Sequence, residues 1–540
     1  MTNHTPCMLS VKARGWEERF PYVPGDSLQR ILEVGGILVR NACNGNGSCG
    51  LCKVRITSGS AGAGVPTSNE RAALSATQLA SFLRLACQVN PVGDMTLEVL
   101  DAESDSFWQP LPLSLQTHPE KRRWPLAGSG REEGLGAVVD IGTTNLSISL
   151  VSLKDGRKFA AYSRLNPQSA FGLDVISRLT AAAADRAASD MLSRQVIQMI
   201  AAGLSLMAEE QGQSARAIRR VVVDGNTAML SLLLSGDHQI LLTPASWMEG
   251  AAWIPSDTGY LPEALGINAG GTVSVLEPLA GFIGSDLLAG LVATGLIESD
   301  APALLIDFGT NSEIALWTGR ELWVTSAAGG PAFECCGITC GAPIGPGTVF
   351  QIEFIEGRPW LHTVGGLPAR GLCGSGMVDL LCGLRRNDIL SETGTFAVPC
   401  PNGEYHFSEG NFPLALTKRD VDMFQRAKAA VATGIGALLR QNRLAPRELG
   451  RVCIGGAFGQ FLNIGNAQQL GLLPFIPAER VELCGNTALA GGENCLLSVV
   501  AAEHFQVVRR LAKIINLAYW PDFNGEFMEN LYLRPFGGNS

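Results

Sequence analysis

Four cysteines near the N-terminus, Cys43, Cys49, Cys52 and Cys87, constrain this chain more than any other feature. The pattern is Cys-x5-Cys-x2-Cys, then 34 residues, then a fourth cysteine. It brings three thiolates from one loop against one from a distant strand end, the ligand set of a two-iron, two-sulfur cluster. Asn44, Gly45, Asn46, Gly47, Ser48 and Gly50 keep the loop small, so that backbone N–H groups can approach the cluster sulfides. Such hydrogen bonds raise a potential that otherwise sits near roughly −400 mV. A structural zinc site on four cysteines is the alternative. Zinc sites of that kind usually present two Cys-x2-Cys pairs, and Cys87 has no partner at that spacing.

The segments around these cysteines read as a small α+β unit over residues 1–100. Leu9 to Lys12 alternates like a strand, and Ser27 N-caps a short amphipathic helix that runs to Glu33. Lys53 to Ile56 and Met95 to Leu100 are further strands. Strand, helix, cysteine loop and more strands is the order of a β-grasp ferredoxin, and the first cysteine gap resembles the adrenodoxin-like ferredoxins more than the plant ones. Residues 101–134 scatter Pro110, Pro112, Pro119 and Pro125 among Glu, Ser and Arg without periodicity, which predicts a linker.

From Gly136 the texture is α/β, and it repeats. Ala137-Val138-Val139 leads into Asp140-Ile141-Gly142-Thr143, with Leu146 to Val151 as the return strand. Leu304-Leu305-Ile306 leads into Asp307-Phe308-Gly309-Thr310, with Ile314 to Trp317 as its return. The two aspartates lie 167 residues apart, and a duplicated unit at that spacing predicts two similar halves, 135–300 and 301–540, facing one cleft. The second half includes a C-terminal extension. A long helical stretch is expected at about 169–210, and Val221 to Met229 reads as strand, tight turn and helix.

Each loop ends a buried strand in a glycine turn, where backbone N–H groups reach phosphate, hydroxyls add donors, and the aspartate holds Mg²⁺ or orients water. The candidate nucleotide residues are therefore Gly142, Thr143, Thr144 and Asn145 in the first loop and Gly309, Thr310 and Asn311 in the second. Asp140 and Asp307 are the candidate catalytic pair. A further strand, Val452 to Ile454, runs into a turn with Gly455, Gly456 and Gly459, placed on the adenosine side. One Asp-x-Gly-Thr copy is a weak motif; two copies with this third turn resemble the superfamily of acetate and sugar kinases, heat-shock chaperone ATPases and actin.

At 540 residues the chain is too long for one core, and roughly three to four domains is the expectation. A net charge of −9 argues against nucleic-acid and anionic-membrane partners. Met1-Thr2-Asn3-His4 lacks the basic and apolar regions of an export signal, so a cytoplasmic location is expected, with the 14 cysteines serving as metal ligands and buried thiols. Cys335, Cys336, Cys340 and Cys373 read as buried thiols near glycine loops rather than a second cluster. The histidines show no metal spacing, Glu209-Glu210 and Arg385-Arg386 read as solvated surface, and Met229 as core.

The chain as a whole resembles the reductive activators of corrinoid proteins, which join a two-iron ferredoxin domain to an actin-like ATPase. The stretches carrying this are Asp140 to Asn145, Val223 to Met229, Asp307 to Glu313, Gly330 to Glu334, Gly371 to Gly376, the turn at 455–459, and the tail around Tyr519 to Phe523 and Leu531 to Leu533. Some members carry a further folded domain before the ATPase, which 34 irregular residues do not supply; Cys335-Cys336 departs from the pattern. The resemblance implies ATP between the halves, with Asp140 and Asp307 managing Mg²⁺ and water. It implies a corrinoid protein in its Co(II) state and an upstream electron donor as partners, and it admits a homodimer. Two rival readings remain: an actin-fold small-molecule kinase with a ferredoxin redox sensor, and a redox scaffold that binds nucleotide without hydrolysing it.

Overall fold

The computed structural model describes residues 7–13, 16–22, 24–34, 37, 39, 47, 52–99, 109–110, 124, 133–172, 174–248, 257–335, 337–342, 344–397, 399–400, 403–408 and 414–536. Cys43, Cys49, Cys336 and nearly all of the expected linker lie outside these described residues. The chain divides into two compact units, 1–109 with 164–181, and 110–163 with 182–540.

In the first unit the strands lie in the order Trp16–Tyr22, Cys7–Ala13, Met95–Val99, Lys53–Ser58, Leu83–Leu85. Cys7–Ala13 pairs parallel with Met95–Val99, with Val11 opposite Leu97, and antiparallel with Trp16–Tyr22. Alternate residues Leu9, Val11, Val54 and Leu97 are fully buried against Leu28 and Leu32 of the helix Leu28–Val34. That helix starts where expected: Arg30 N donates to Ser27 Oγ at 3.3 Å. The strand Trp16–Tyr22 has no counterpart in the sequence reading. Its three charges and Pro21 hide the alternation, and all are tolerable because it lies at the sheet edge.

The second unit is built on two sheets of the same plan. In the first, Thr272–Val275, Ile218–Gly225, Leu135–Ile141, Asn145–Ser152 and Lys158–Leu165 lie side by side. In the second the order is Val481–Gly485, Arg451–Gly455, Ala303–Asp307, Ser312–Trp317, Leu322–Ala327 and Ala512–Ile514. Each central strand has a parallel neighbour on one side and an antiparallel return on the other, with Asp140 opposite Asp224 and Asp307 opposite Gly455. Ala137 to Val139 and Leu304 to Ile306 are wholly buried, as continuous apolar runs in parallel pairing require. The two Asp-x-Gly-Thr turns therefore emerge from equivalent strand ends.

The helices Ser285–Thr294 and Thr487–Leu497 join the two halves of this unit at close range. A β-carbon at Gly491 would lie 1.9 Å from the Ala289 carbonyl oxygen, and one at Gly290 would lie 3.0 Å from Thr487 Oγ1. Only glycine permits this approach.

Two expectations need correction. The stretch at 169–210 is not one helix. A short 3₁₀ turn, Pro167–Phe171, ends at Gly172, whose φ is +139°, and Val175–Ala184 and Arg186–Glu210 follow as separate helices. Asp185 adopts extended backbone and accepts from Ala187 N at 3.0 Å, so it caps the long helix instead of continuing the one before. By length and composition Arg186–Glu210 passes for a membrane span, but it packs Leu192, Val196, Ile200, Leu204 and Met207 inward. Arg385 is not solvated surface: it is half-buried and donates to the carbonyls of Leu390 and Leu533, helping to fix the C-terminal segment.

Candidate functional site

The two aspartate turns meet across a cleft of about 150 Å³ in the second unit. Asp140, Gly142, Thr143, Thr144, Asn145, Asp307, Gly309, Thr310 and Asn311 all line it, with Gly456 from the third turn. Gly455 and Gly459 do not line it; they allow close packing instead. A β-carbon at Gly455 would lie 2.8 Å from Thr487 Oγ1, and one at Gly459 2.6 Å from Ile454. Gly456 has φ +85° and donates to the Gly485 carbonyl at 2.9 Å, which ties the turn to the neighbouring strand. Gly142 N closes its own loop on the Asn145 carbonyl at 2.9 Å.

Hydrogen bonds lace the loops together. Thr144 Oγ1 and Thr310 Oγ1 lie 2.7 Å apart, and each lies 2.7 Å from Glu334 Oε2. Asn486 donates to Asp140 Oδ2 at 3.0 Å, and Thr487 donates to Asp307 Oδ2 at 3.2 Å. Both come from the start of Thr487–Leu497, so one helix N-terminus holds the aspartates of both halves. Asp286, Glu313, Glu334, Asn226 and Asn486 also line the cleft, and Thr487 supports it; none was assigned a role from sequence. A signal for Asn486 and Thr487 existed, since Gly225-Asn226-Thr227-Ala228 recurs as Gly485-Asn486-Thr487-Ala488.

Electrostatically the cleft is one-sided: no Lys or Arg is among its described lining residues. Burial pushes Asp140 up to about 7, the Asn486 hydrogen bond opposing and the Asp307 charge adding. Burial, then the Asp140 charge, raises Asp286 to about 7. Burial raises Asp307 to about 6, against the Thr487 hydrogen bond and with the Glu334 charge. Beside them Asp224 is fully buried with both carboxylate oxygens unpartnered among the described residues, and burial holds it well above the usual range. Carboxylates gathered this way demand protons or a cation. A wider hollow of about 570 Å³ beside Phe350, Leu361 and His362 has no carboxylate among its described lining residues.

In the first unit Cys52 and Cys87 are both buried, and Cys87 N lies 3.5 Å from Cys52 Sγ. The hydrogen bond from Cys52 leads in lowering Cys87 to about 6 against burial. Gly47 has φ +74°, and a β-carbon there would lie 2.6 Å from the Gln88 side chain, so the cysteine loop needs glycine at this point. The strand before Cys87 is pinned by a buried ion pair, Arg84 Nε to Glu70 Oε1 at 2.8 Å. Two buried thiols approached by a backbone amide fit half of an iron–sulfur ligand set; the other half, Cys43 and Cys49, lies outside the described residues.

A ferredoxin fold with two buried cysteines and an acid-lined cleft between duplicated aspartate turns together define a ferredoxin-linked protein of the actin-like class. Three family models match: a 2Fe-2S iron-sulfur cluster binding domain over 11–92, the RACo middle region over 135–299, and the C-terminal domain of RACo, the ASKHA domain, over 301–537. The corrinoid activation enzyme RamQ of Eubacterium limosum is 31% identical over 427 residues, spanning 75% of this chain and 70% of the relative. The [Co(II) methylated amine-specific corrinoid protein] reductase of Methanosarcina barkeri is 25% identical over 346 residues, spanning 58% of this chain and 62% of the relative. A solved reductive activator for corrinoid, iron-sulfur protein superposes with a TM-score of 0.69 at 26% identity, covering 98% of each chain. The chain belongs to the family of reductive activators of corrinoid proteins.

Proposed function

We propose that this chain couples ATP hydrolysis to delivery of one electron to a corrinoid protein whose cobalt has fallen to Co(II), restoring Co(I). The observation that carries this reading is the pairing, in one chain, of two buried cysteines with a carboxylate cleft that has no Lys or Arg among its described lining residues. Such a cleft repels a bare triphosphate and accepts one that arrives with a divalent cation. Asp140 and Asp307 would hold Mg²⁺, which supplies charge neutralisation and Lewis acidity at phosphoryl oxygens. The hydroxyls of Thr143, Thr144 and Thr310 and the amides of Asn145 and Asn311 orient the phosphates, and Gly456 lets the backbone lie along the nucleotide. Cys43, Cys49, Cys52 and Cys87 would hold the two-iron cluster, which supplies one-electron redox chemistry.

The two loops touch across the cleft, Thr144 Oγ1 lying 2.7 Å from Thr310 Oγ1, so a phosphate chain seated between them has to part the two halves. That motion is what makes coupling work. Each 100 mV by which the cobalt couple lies below the donor costs about 2.3 kcal/mol per electron. Only a change that favours one redox or ligation state of the partner can offset it. The reading calls for an upstream electron donor and a cytoplasmic location, and a homodimer is the assembly to look for.

The test uses the corrinoid partner in its Co(II) state. It should accelerate ATP hydrolysis, and ATP should accelerate the Co(I) absorbance. Asp307→Ala should lose both while the iron–sulfur spectrum persists; Cys49→Ala should keep partner-stimulated hydrolysis and yield no Co(I). Wild-type Co(I) formation by Asp307→Ala would sink the mechanism.

A further inference from the structure

Outside the cleft, one cluster of reactive side chains is used by nothing described so far. Cys453, on Arg451–Gly455, and Cys484, on the adjacent parallel strand Val481–Gly485, point to the same side. Their sulfurs and a Glu482 carboxylate oxygen all lie within 4.8 Å of one another. The register explains the approach. Cys453 pairs with Glu482 and Ile454 with Leu483, but Gly455 pairs with Gly485, so Cys484 is the extra residue of a β-bulge. The bulge leaves Cys484 half-buried while Cys453 is fully buried.

The donor set does not suit a metal ion. Arg451 grips both Glu482 oxygens, Nε and Nη2 at 3.0 Å each, and is itself held by the Thr294 carbonyl at 2.9 Å. Its positive charge acts on both sulfurs, which disfavours a cation and favours a thiolate. The thiols are also unequal. The Cys453 hydrogen bond lowers Cys484, and the same bond, with burial, pushes Cys453 well up. Cys484 is the less buried sulfur with its thiol shifted down, and Cys453 the buried one with its thiol shifted up, the arrangement of an attacking and a resolving cysteine.

We propose that Cys453 and Cys484 form a peroxide-sensitive pair whose disulfide displaces the turns that carry Gly456, Asn486 and Thr487, and so switches off the cleft. The Cys484 thiolate attacks the O–O bond of hydrogen peroxide, giving a sulfenic acid and a hydroxide that takes up a proton to become water. The Cys453 sulfur then attacks the sulfenic sulfur, and the hydroxyl leaves as water with the Cys453 proton. Two thiols and one peroxide become one disulfide and two waters. The S–S bond needs about 2.05 Å, so the bulge has to move. Gly485, next in the chain, accepts from Gly456 N at 2.9 Å, and Asn486 and Thr487 hold Asp140 and Asp307. Movement at the bulge therefore reaches both halves of the site. The effect on ATP turnover rests on the function proposed above; formation of the disulfide does not.

The experiment treats the anaerobically reduced full chain with stoichiometric hydrogen peroxide and maps peptides without reduction. A cross-linked Cys453–Cys484 peptide, lighter by two hydrogens, is expected. Partner-stimulated ATP hydrolysis should fall by roughly 10- to 100-fold, as small displacements of positioning groups do, and dithiothreitol should restore it. Cys484→Ser should hydrolyse ATP at the wild-type rate when reduced and keep that rate after peroxide. Both cysteines remaining as thiols while other cysteines oxidise would overturn the proposal, as would an equal peroxide loss in Cys484→Ser, which would trace the loss to the cluster. A chain that forms the disulfide yet never hydrolyses ATP would refute the proposed function, not the pair, because the mapping needs no turnover.

Discussion

Asp140, Asp286 and Asp307 share one cleft with Glu313 and Glu334, and Asn486 and Thr487 supply the side-chain hydrogen bonds to Asp140 and Asp307 that oppose the mutual repulsion. The pH dependence follows from the sign of their shifts. Burial raises Asp140 to about 7 and Asp307 to about 6, above the values such groups take in an unfolded chain. The folded state thus binds protons more tightly, and that stabilisation is present in acid and lost as pH rises through about 6 to 7. Without nucleotide, the melting temperature should fall between about pH 5 and about pH 8, and Mg²⁺ should restore more of it at the higher pH. Asp140→Asn should flatten the profile. A Mg²⁺ effect independent of pH would mean that the cation binds elsewhere. Asp140 and Asp307 were legible in the sequence because a buried strand ending in Asp-x-Gly-Thr is a local pattern. Asp286 and Glu334 were not, since their place in the cleft depends on how distant elements pack. Asn486 was hidden more shallowly, behind a repeat of four residues.

Among elements, the helix pair Ser285–Thr294 and Thr487–Leu497 bears the most. Both are apolar nearly all round, and glycines let them touch backbone to backbone. The first delivers Asp286; the second caps itself through Asn486, whose side chain also holds Asp140. Gly491→Ala drives a methyl into the Ala289 carbonyl, and overpacking of this kind costs about 1–3 kcal/mol. It should lower the melting temperature of the full chain and weaken nucleotide binding together. Stability lost with nucleotide affinity unchanged would show that the contact only packs and positions nothing. Periodicity read the buried parallel strands well, because burial on both faces leaves continuous apolar runs. It missed Trp16–Tyr22, whose edge position relaxes the pattern, and it fused two helices across Asp185, whose side-chain cap is a residue-type signal that apolar periodicity does not register.

For the whole molecule, the contact between the two Asp-x-Gly-Thr loops decides how the proposed turnover can do work. Thr144 and Thr310 belong to different halves, yet their hydroxyls lie 2.7 Å apart and share Glu334. In the proposed cycle, phosphates seated between the loops break this contact, and their release after hydrolysis lets it re-form. If that cycle is the coupling stroke, locking the loops together should stop it without touching electron transfer chemistry in the first unit. Replacing Thr144→Cys and Thr310→Cys in a Cys484→Ser chain places two thiols where the hydroxyls now meet and leaves the Cys453–Cys484 pair unable to cross-link. Oxidised, this variant should exclude ATP and fail to raise Co(I), while its iron–sulfur spectrum stays unchanged. Reduced, it should regain nucleotide binding, weakened by the two lost hydroxyls, and with it ATP-dependent Co(I) formation. The comparison is within one protein, so the missing hydroxyls cancel. Equal ATP affinity in the oxidised and reduced forms would mean that nucleotide enters without parting the halves, and the coupling would then have to be sought in the partner's own conformations.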